Sequence, residues 1–225
     1  METKKTMVSR LFATLGIIYV TCLLLSNLIA GKMMAIGSVT LPAAVILFPI
    51  TYILGDVFTE VYGFKNMRSI IWTGFACSAF AVGIYMITIV LPHPDFWTNQ
   101  EAFETVLGTT PRVFVASLAG YLFGEFSNSM ILSKLKVATQ GKKLWVRTIL
   151  STIVGEAFDT VIFISISFWG TMDTSVLLQM MLYQYLFKVC YEVIFTPATY
   201  AVVGWLKKKE ELDTFDTDVK YNVFK

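Results

Sequence analysis

The sequence predicts an all-α membrane protein, a bundle of six transmembrane helices, and three observations support this fold class. The 225 residues are 56% hydrophobic and only 15% charged, which is far from the composition of a soluble domain. Apolar stretches of roughly 20 residues, the length that crosses a hydrocarbon core, recur along the chain. Short polar segments separate these stretches. The predicted spans are residues 10–31, 41–63, 68–91, 112–133, 146–169 and 175–206.

Basic residues mark one side of this predicted bundle. They are concentrated in the N-terminal segment, in the connections after the second and fourth spans, and after the sixth span, whereas the opposite side holds Lys32 and Arg112. Cytoplasmic loops keep an excess of lysine and arginine, so both termini are predicted to be cytoplasmic, as an even number of spans requires. Residues 1–206 would then form a six-helix transmembrane domain and residues 207–225 a charged cytoplasmic tail.

The apolar spans and the basic segments between them also restrict which partners are expected. The basic runs are topology signals, so we expect no nucleic acid and place the chain in a lipid bilayer, the inner membrane of a bacterium. The first span is too long for a signal peptide, and we expect it to be retained. Cys22, Cys77 and Cys190 lie within predicted helices, where packing roles are expected rather than disulfides or a metal site. Small residues on several helices would permit a homodimer, which nothing in the sequence requires.

Two regions interrupt the helical pattern. Residues 92–111 are predicted to connect two spans on the outer surface, and an amphipathic pattern near Ala102–Leu107 fits either a short interfacial helix or a solvated loop. Pro42 and Pro49 in the second span and Pro197 in the sixth each remove a helical hydrogen bond. Such breaks suit a binding cavity or a hinge, or they are plain kinks.

Ionisable side chains inside the predicted spans are the most informative feature. An acid near the centre of a membrane helix costs about 3 kcal/mol, so six unpaired acids would cost on the order of 15–20 kcal/mol and must face one another, water or a ligand. The six acids are Asp56, Glu60, Glu125, Glu156, Asp159 and Glu192. Lys188 is the basic residue inside the predicted spans that would neutralise part of this negative charge.

The spacing of these groups places them on single helix faces. Residues three or four apart share a face, which pairs the acids of the second and fifth spans and aligns polar residues of the fourth and sixth. The candidate substrate-binding residues are Asn27, Asp56, Glu60, Ser117, Tyr121, Glu125, Asn128, Glu156, Asp159, Gln184, Lys188 and Glu192. From the helical rise, Glu156 and Asp159 lie near the midplane, whereas Asp56 and Glu60 lie nearer the cytoplasmic side.

An excess of carboxylates favours three kinds of occupant. These are a cation, a relayed proton, or a ligand whose neighbouring N–H groups pair with one carboxylate through two parallel hydrogen bonds. Guanine-like bases are ligands of the third kind. Lys188 would neutralise an acid when no ligand is bound, or donate to a carbonyl oxygen of the ligand. Aromatic residues near the acids, such as Tyr52 and Phe158, offer stacking surfaces, although most aromatic residues are expected to pack or face lipid.

The strings that contain these residues resemble one known family. The matching strings, in chain order, are LSN at 25–27, FPIT at 48–51, GDVFTEVYG at 55–63, GEFSN at 124–128, ST at 151–152, GE at 155–156 and FK at 187–188. They resemble the queuosine precursor transporter family, formerly described as vitamin uptake transporters. The resemblance covers about residues 20–205, nearly the whole predicted membrane domain.

The resemblance implies uptake of a 7-deazaguanine for salvage into transfer RNA, with no cofactor. The ligand would be the 7-cyano or 7-aminomethyl precursor, or queuine. A carboxylate would pair with the N1–H and the exocyclic amine, and Glu125, Glu156 and Asp159 are the leading candidates. We expect alternating access around a site made by the fourth, fifth and sixth helices, with the second helix as the cytoplasmic gate.

Two other functions are less consistent with the sequence. The chain could be the substrate-binding membrane subunit of an energy-coupling-factor transporter, but the first span shows only scattered small residues, Ala13 and Gly16, for docking a partner. An intramembrane enzyme is not expected, because no HExxH, Gly-x-Ser-x-Gly or phosphate-binding glycine loop occurs. Transport by the chain expressed alone would separate a self-sufficient transporter from a coupling-factor subunit.

Overall fold

The computed structural model describes residues 9–37, 39–108, 111–171 and 173–224, and most of them are helical. The elements in chain order are α1 (Arg10–Ile29), β1 (Met33–Ile36), β2 (Val39–Pro42), a 3₁₀ helix (Ala43–Ile46), α2 (Phe48–Val57), a π-helical turn (Phe58–Tyr62), α3 (Phe64–Val90), α4 (Gln100–Leu107), α5 (Pro111–Ala138), α6 (Leu144–Phe168) and α7 (Thr174–Glu210).

Five helices of the described chain, namely α1, α3, α6, α7 and the run that contains α5, are long and apolar enough to cross a membrane. They confirm the first, third, fourth, fifth and sixth predicted spans as long apolar helices. Large apolar side chains such as Phe80 and Ile194 are about 70% exposed on their outer faces, as expected where helices contact lipid. The cytoplasmic orientation of both termini stays a prediction, and the basic segment before Ser9 lies outside the described residues.

The second predicted span, residues 41–63, is not one continuous helix. Its place is taken by the end of a β-hairpin, the 3₁₀ helix, α2 and the π-helical turn. Pro42 is the N-cap of the 3₁₀ helix and Pro49 lies in the first turn of α2, positions where the missing N–H of proline does no harm. The prolines therefore divide this segment into short helices, and the antiparallel hairpin that pairs Met33 with Pro42 corrects the all-α prediction. A sixth membrane crossing by this broken segment stays a prediction.

The helices α5 and α6 cross in close contact because glycines lie where they meet. A Cβ on Gly124 would come within 3.1 Å of the Gly155 carbonyl oxygen and 2.8 Å of the Asp159 Cβ. A Cβ on Gly155 would come within 2.8 Å of the Asn128 Cβ. Without side chains at these positions, the two backbones approach closely, as small residues allow in membrane bundles. This contact brings the polar faces of α5 and α6 together.

The connection between α3 and α5 contains the short helix α4. This helix agrees with the amphipathic pattern near Ala102–Leu107, so the interfacial-helix alternative fits better than a loop without structure. The Gln100 amide donates to the Ile89 carbonyl oxygen at 3.0 Å and ties the start of α4 to the end of α3.

The residues after α7 fold back against the bundle. The Asp216 carboxylate accepts a 2.8 Å hydrogen bond from the backbone N–H of Phe64, at the start of α3, and the Trp72 indole donates to the Val223 carbonyl oxygen at 2.8 Å. Gly63 has a φ of +84°, and a Cβ there would meet Thr214 at 2.7 Å. The described part of the charged tail therefore packs against the start of α3, the end of α5 and the π-helical turn.

Candidate functional site

A cavity lies between α1, α2, α5, α6 and α7. About 840 Å³ of space, part of it open to solvent, lies free of atoms between these helices. Polar side chains from all five of these helices line it. The predicted site residues among them are Asn27, Ser117, Tyr121, Glu125, Asn128, Glu156, Asp159 and Gln184. The structure thus brings together eight of the twelve candidates, as their shared helix faces predicted.

Lys188 is held by two acids of α6. Its Nζ lies 2.7 Å from the Glu156 carboxylate and also pairs with Asp159. The Lys188 side chain is fully buried, and its ammonium lies 5.7 Å from the centre of the Tyr52 ring, within the range of a cation–π contact. Lys188 does not line the cavity itself, but it neutralises and positions the two acids that do.

Glu125 lies on the opposite wall and has a different environment. It is 7% exposed, and its Oε1 has no hydrogen-bond partner among the described residues. A Cβ on Gly55 would lie only 2.5 Å from this oxygen, so α2 can approach Glu125 because residue 55 has no side chain. The hydroxyl of Tyr19 lies beside this carboxylate. No cation pairs with Glu125 in the described part of the chain.

Two amide oxygens of cavity-lining residues resemble Glu125 Oε1 in being buried hydrogen-bond acceptors without a donor in the described structure. Asn128 Oδ1 and Gln184 Oε1 are buried and, within the residues that the structure describes, accept no hydrogen bond. Asn128 uses its amide N–H to donate to Asp56 Oδ1 at 2.9 Å. Buried acceptors normally have donors, and leaving one without a donor costs about 1–3 kcal/mol. Asn128, Gln184 and Glu125 thus line the cavity, and each has a buried acceptor oxygen without a donor among the described residues.

Besides Lys188, three predicted candidates do not line the cavity. Asp56 and Glu192 are buried behind it, between α2 and α7, and are 1% and 2% exposed. Glu60, in the π-helical turn, forms a separate cluster of ion pairs. Its Oε1 lies 2.8 Å from both Arg147 Nη2 and Lys207 Nζ, and 3.5 Å from Lys136 Nζ.

The tail completes this second cluster, which we name the Glu60 cluster (Glu60, Lys136, Arg147, Lys207 and Asp213). The Asp213 carboxylate pairs with Lys136 and lies 2.9 Å from Lys207 Nζ. Sequence reasoning had counted Lys136, Arg147 and Lys207 only as topology signals. Their role as partners of Glu60 was missed because they are 76 or more positions away from it in the chain.

Tyr19 is a cavity residue that the sequence analysis also missed. It is 1% exposed and lines the cavity with Leu23 and Asn27. The spacing of these three residues, four and then four, places them on one face of α1. That periodicity with Asn27 is the signal that would have identified Tyr19.

The chain is similar to a family of membrane transporters. The family model described as "Putative vitamin uptake transporter" matches residues 42–202. The chain is 27% identical over 186 residues to the "Probable queuosine precursor transporter" of Bacillus subtilis (strain 168), covering 82% of this chain and 81% of that one. It is 25% identical over 159 residues to the "Queuosine precursor transporter" of Escherichia coli (strain K12), covering 69% of each chain.

A third relative gives a similar result. The "Probable queuosine precursor transporter" of Haemophilus influenzae (strain ATCC 51907 / DSM 11121 / KW20 / Rd) is 27% identical over 172 residues, which are 73% of this chain and 69% of that one. No solved structure matches the chain significantly. The family match covers well over half of the chain, including α2, α5, α6 and most of α7.

Proposed function

The chain belongs to the vitamin uptake transporter family, and from this premise we propose that it imports a queuosine precursor for salvage into transfer RNA. It is a transporter of the bacterial inner membrane that crosses the bilayer several times. The proposed substrate is a 7-deazaguanine, such as 7-cyano-7-deazaguanine, 7-aminomethyl-7-deazaguanine or queuine. The relatives' names suggest this class of substrate, and those names do not favour the coupling-factor alternative.

The observation that carries the proposal is the row of buried acceptors without donors. In the described structure these atoms are Glu125 Oε1, Asn128 Oδ1 and Gln184 Oε1. A 7-deazaguanine presents N–H donors along one edge, at N1 and the exocyclic amine, and a further N–H on its five-membered ring. A carboxylate accepts two such neighbouring donors in parallel. Binding would therefore supply the donors that these buried oxygens lack.

The remaining features of the cavity suit the rest of the base. The ligand is flat, and the side chains of Tyr52 and Tyr121 on the wall offer aromatic surfaces on which it can stack. Lys188, paired with Glu156 and Asp159, provides a positive charge beside these acids when no ligand is bound. In our proposal Glu125 binds the donor edge, while Glu156 and Asp159 accept from the further N–H of the five-membered ring.

The proposed mechanism is alternating access around this site. The bundle of α5, α6 and α7 supplies the wall, and the broken segment that contains α2 acts as the gate. A gate must change its backbone conformation, and the short 3₁₀, α and π elements of this segment have fewer helical hydrogen bonds to break than a continuous helix.

The test uses cells that neither synthesise queuosine nor import its precursors. These cells express the chain alone, receive external 7-cyano-7-deazaguanine, and are scored for queuosine in transfer RNA. We expect restoration by the native chain and an uptake rate about 10- to 100-fold lower for Glu125→Gln, because a hydrogen bond to a charged group contributes about 1.5–3 kcal/mol.

The matched control is Glu101→Gln, which makes the same change on the exposed surface of α4. It should restore queuosine as the native chain does. Absence of restoration by well-expressed native chain, together with no binding of 7-cyano-7-deazaguanine to the purified protein, would reject the proposed substrate.

A further inference from the structure

Asp56 and Glu192 form a pair of buried carboxyl groups behind the cavity wall. Asp56 comes from α2 and Glu192 from α7, and these two helices pack against each other. The two carboxyls interact electrostatically, and they are 1% and 2% exposed. In the described chain, Asp56 Oδ2 and Glu192 Oε1 have no hydrogen-bond partner, and neither carboxyl forms an ion pair.

The charges around this pair are mostly negative. Glu125 on α5 and Glu60 in the π-helical turn face Asp56, and Glu156 on α6 faces Glu192. The nearest cation in sequence, Lys188, lies one turn before Glu192 and is held by Glu156 and Asp159.

The cations of the Glu60 cluster are likewise engaged by Glu60 and Asp213. The environment of the described pair therefore offers no counter-charge that would allow both carboxyls to ionise.

Two carboxylates buried between the packed helices α2 and α7 do not both stay ionised without a counter-charge. Like charges in a low-dielectric interior repel strongly, and one of the pair then keeps a proton. That proton also supplies a donor, an O–H, beside acceptor oxygens that otherwise have none. A metal ion is a poorer occupant, because hard cations take about six oxygen ligands and the described residues contain no group of three or more metal-binding side chains.

We propose that the Asp56–Glu192 pair binds the proton whose downhill entry drives accumulation of the substrate. This inference rests on the proposed function, since it assigns the energy source to the same transporter. The pair lies between the proposed gate, which contains α2, and the fixed helix α7. Protonation removes the repulsion between the two carboxylates and lets α2 close against α7. Loss of the proton restores the repulsion and favours separation of α2 from α7.

The pair is connected to the cavity through Asn128. Asn128, whose amide N–H donates to Asp56 at 2.9 Å, lines the cavity, and its amide oxygen has no donor in the described chain. A ligand N–H that binds this oxygen fixes the orientation of the amide and so holds its N–H on Asp56. Occupancy of the cavity and protonation of the pair thereby stabilise the same arrangement, which is the reciprocity that coupled transport requires.

The first experiment detects the bound proton in the absence of substrate. Infrared spectra of the purified full chain in liposomes are compared with those of Asp56→Asn and Glu192→Gln. A protonated carboxyl has a C=O band that a carboxylate lacks, and we expect each substitution to remove the same component of this band. Glu101→Gln should leave the band unchanged. A spectrum that neither substitution alters would overturn the assignment, whatever the substrate proves to be.

The second experiment measures accumulation of labelled 7-cyano-7-deazaguanine in the same liposomes, with the membrane potential clamped to zero. One proton per substrate converts an inward gradient of one pH unit into about tenfold accumulation, since one unit corresponds to 1.36 kcal/mol. We expect this value for the native chain and for Glu101→Gln. Asp56→Asn and Glu192→Gln should reach a ratio of about one while still exchanging labelled for unlabelled substrate.

The remaining outcomes are distinguishable. Exchange by the native chain without accumulation under the pH gradient, or accumulation that follows a sodium gradient instead, overturns proton coupling and leaves the proposed substrate intact. Full accumulation by both variants overturns the location of the proton. Absence of exchange by the native chain rejects the proposed substrate, and the infrared result then decides the proton site by itself.

Discussion

The central cavity and the Glu60 cluster both contain buried acidic and basic residues, but these residues are paired differently in the two regions. In the Glu60 cluster, one carboxylate oxygen of Glu60 is contacted by three cations, and Asp213 pairs with two of them. In the cavity, Glu125 has no cationic partner within the described chain, and one of its oxygens accepts no hydrogen bond. A buried charge with all its partners inside the protein holds elements together. In our proposal, the buried acceptor of Glu125 that lacks a partner is the one that a ligand satisfies.

The difference between the two regions also concerns the elements they join. The Glu60 cluster ties the π-helical turn to the ends of α5 and α7, the start of α6 and the tail. The cavity is surrounded by helices that approach through glycines, such as Gly55 beside Glu125 and Gly124 beside Asp159. Substitutions in the first region should therefore change stability, and substitutions in the second should change affinity.

The largest expected effect is the loss of stability in Glu60→Gln. This substitution leaves Lys136, Arg147 and Lys207 close together with only Asp213 as counter-charge, and breaking a buried ion pair costs about 3–5 kcal/mol. Thermal unfolding of the purified protein in detergent should occur roughly 10 °C lower than in the native chain. Glu101→Gln, an exposed change of the same kind, should leave the melting temperature unaltered.

The same variant also tests whether Glu60 is part of the ligand site or only of the Glu60 cluster. The affinity of folded Glu60→Gln for 7-cyano-7-deazaguanine, measured by calorimetry at low temperature, should equal that of the native chain. A normal melting temperature with a loss of affinity would instead assign Glu60 to the ligand site, as the sequence analysis had predicted.

An intermediate effect is expected for Gly55→Ala, which inserts a Cβ 2.5 Å from Glu125 Oε1. The carboxylate is the flexible end of its side chain, so it can move aside at little cost to the fold. Alanine itself favours a helix over glycine by about 0.5–1 kcal/mol. We expect a melting temperature that is unchanged or raised, and an affinity about tenfold lower because Glu125 is displaced.

Gly83→Ala is the matched control for this variant. Gly83 lies within α3, and a Cβ there would meet no atom within 4 Å. It should give the same small gain in helix stability with native affinity. Equal affinities of the two alanine variants would contradict the placement of Glu125 at the ligand site.

The smallest expected effect is that of Asp213→Asn. Partial burial raises the pKa of the Asp213 carboxyl, but hydrogen bonds and charge interactions with Lys136 and Lys207 outweigh burial and hold the pKa below its ordinary value of 3.8. The ionised form is thus favoured by folding, so its contribution is present above pH 3.8 and disappears as the pH falls through the lower folded-state pKa. Because Asp213 is half exposed, this contribution is at most about 1 kcal/mol.

The measurement is the difference in melting temperature between the native chain and Asp213→Asn as a function of pH. We expect a small difference at neutral pH that vanishes in acid. Asp218→Asn, on an exposed residue of the same tail whose carboxylate forms no ion pair in the described structure, should show no difference at any pH. A difference that grows in acid would contradict the ion pairs of Asp213.

The sequence was sufficient for much of the site because helical periodicity aligns residues on one face. The spacing of Ser117, Tyr121, Glu125 and Asn128 predicted a polar face of α5, and all four residues line the cavity. The same rule failed for Asp56 and Glu60, which share a face by spacing yet lie in different environments. Periodicity fixes where a side chain points on its own helix, but it does not say which element covers that face.

The break in the second span shows the same limit for secondary structure. Pro42 and Pro49 indicated an interruption, but the hairpin before α2 and the π-helical turn after it were not predicted. A π-helical turn has no strong local signature, and here it is packed between the tail and α5 by contacts such as the Thr214 N–H donating to the Val61 carbonyl oxygen at 3.2 Å. These contacts join residues far apart in the sequence.

By itself, the sequence determined the membrane class, the five long helices and the helix faces on which polar groups lie, because hydropathy and helical spacing are local properties of the chain. Only the tertiary structure decided which charges are partnered. Lys207 and Glu60 meet at 2.8 Å although 147 positions separate them, while Glu125 finds no cation in the part of the chain that the structure describes. The pairing of buried charges depends on which helices become neighbours, and that choice is made when the whole bundle packs.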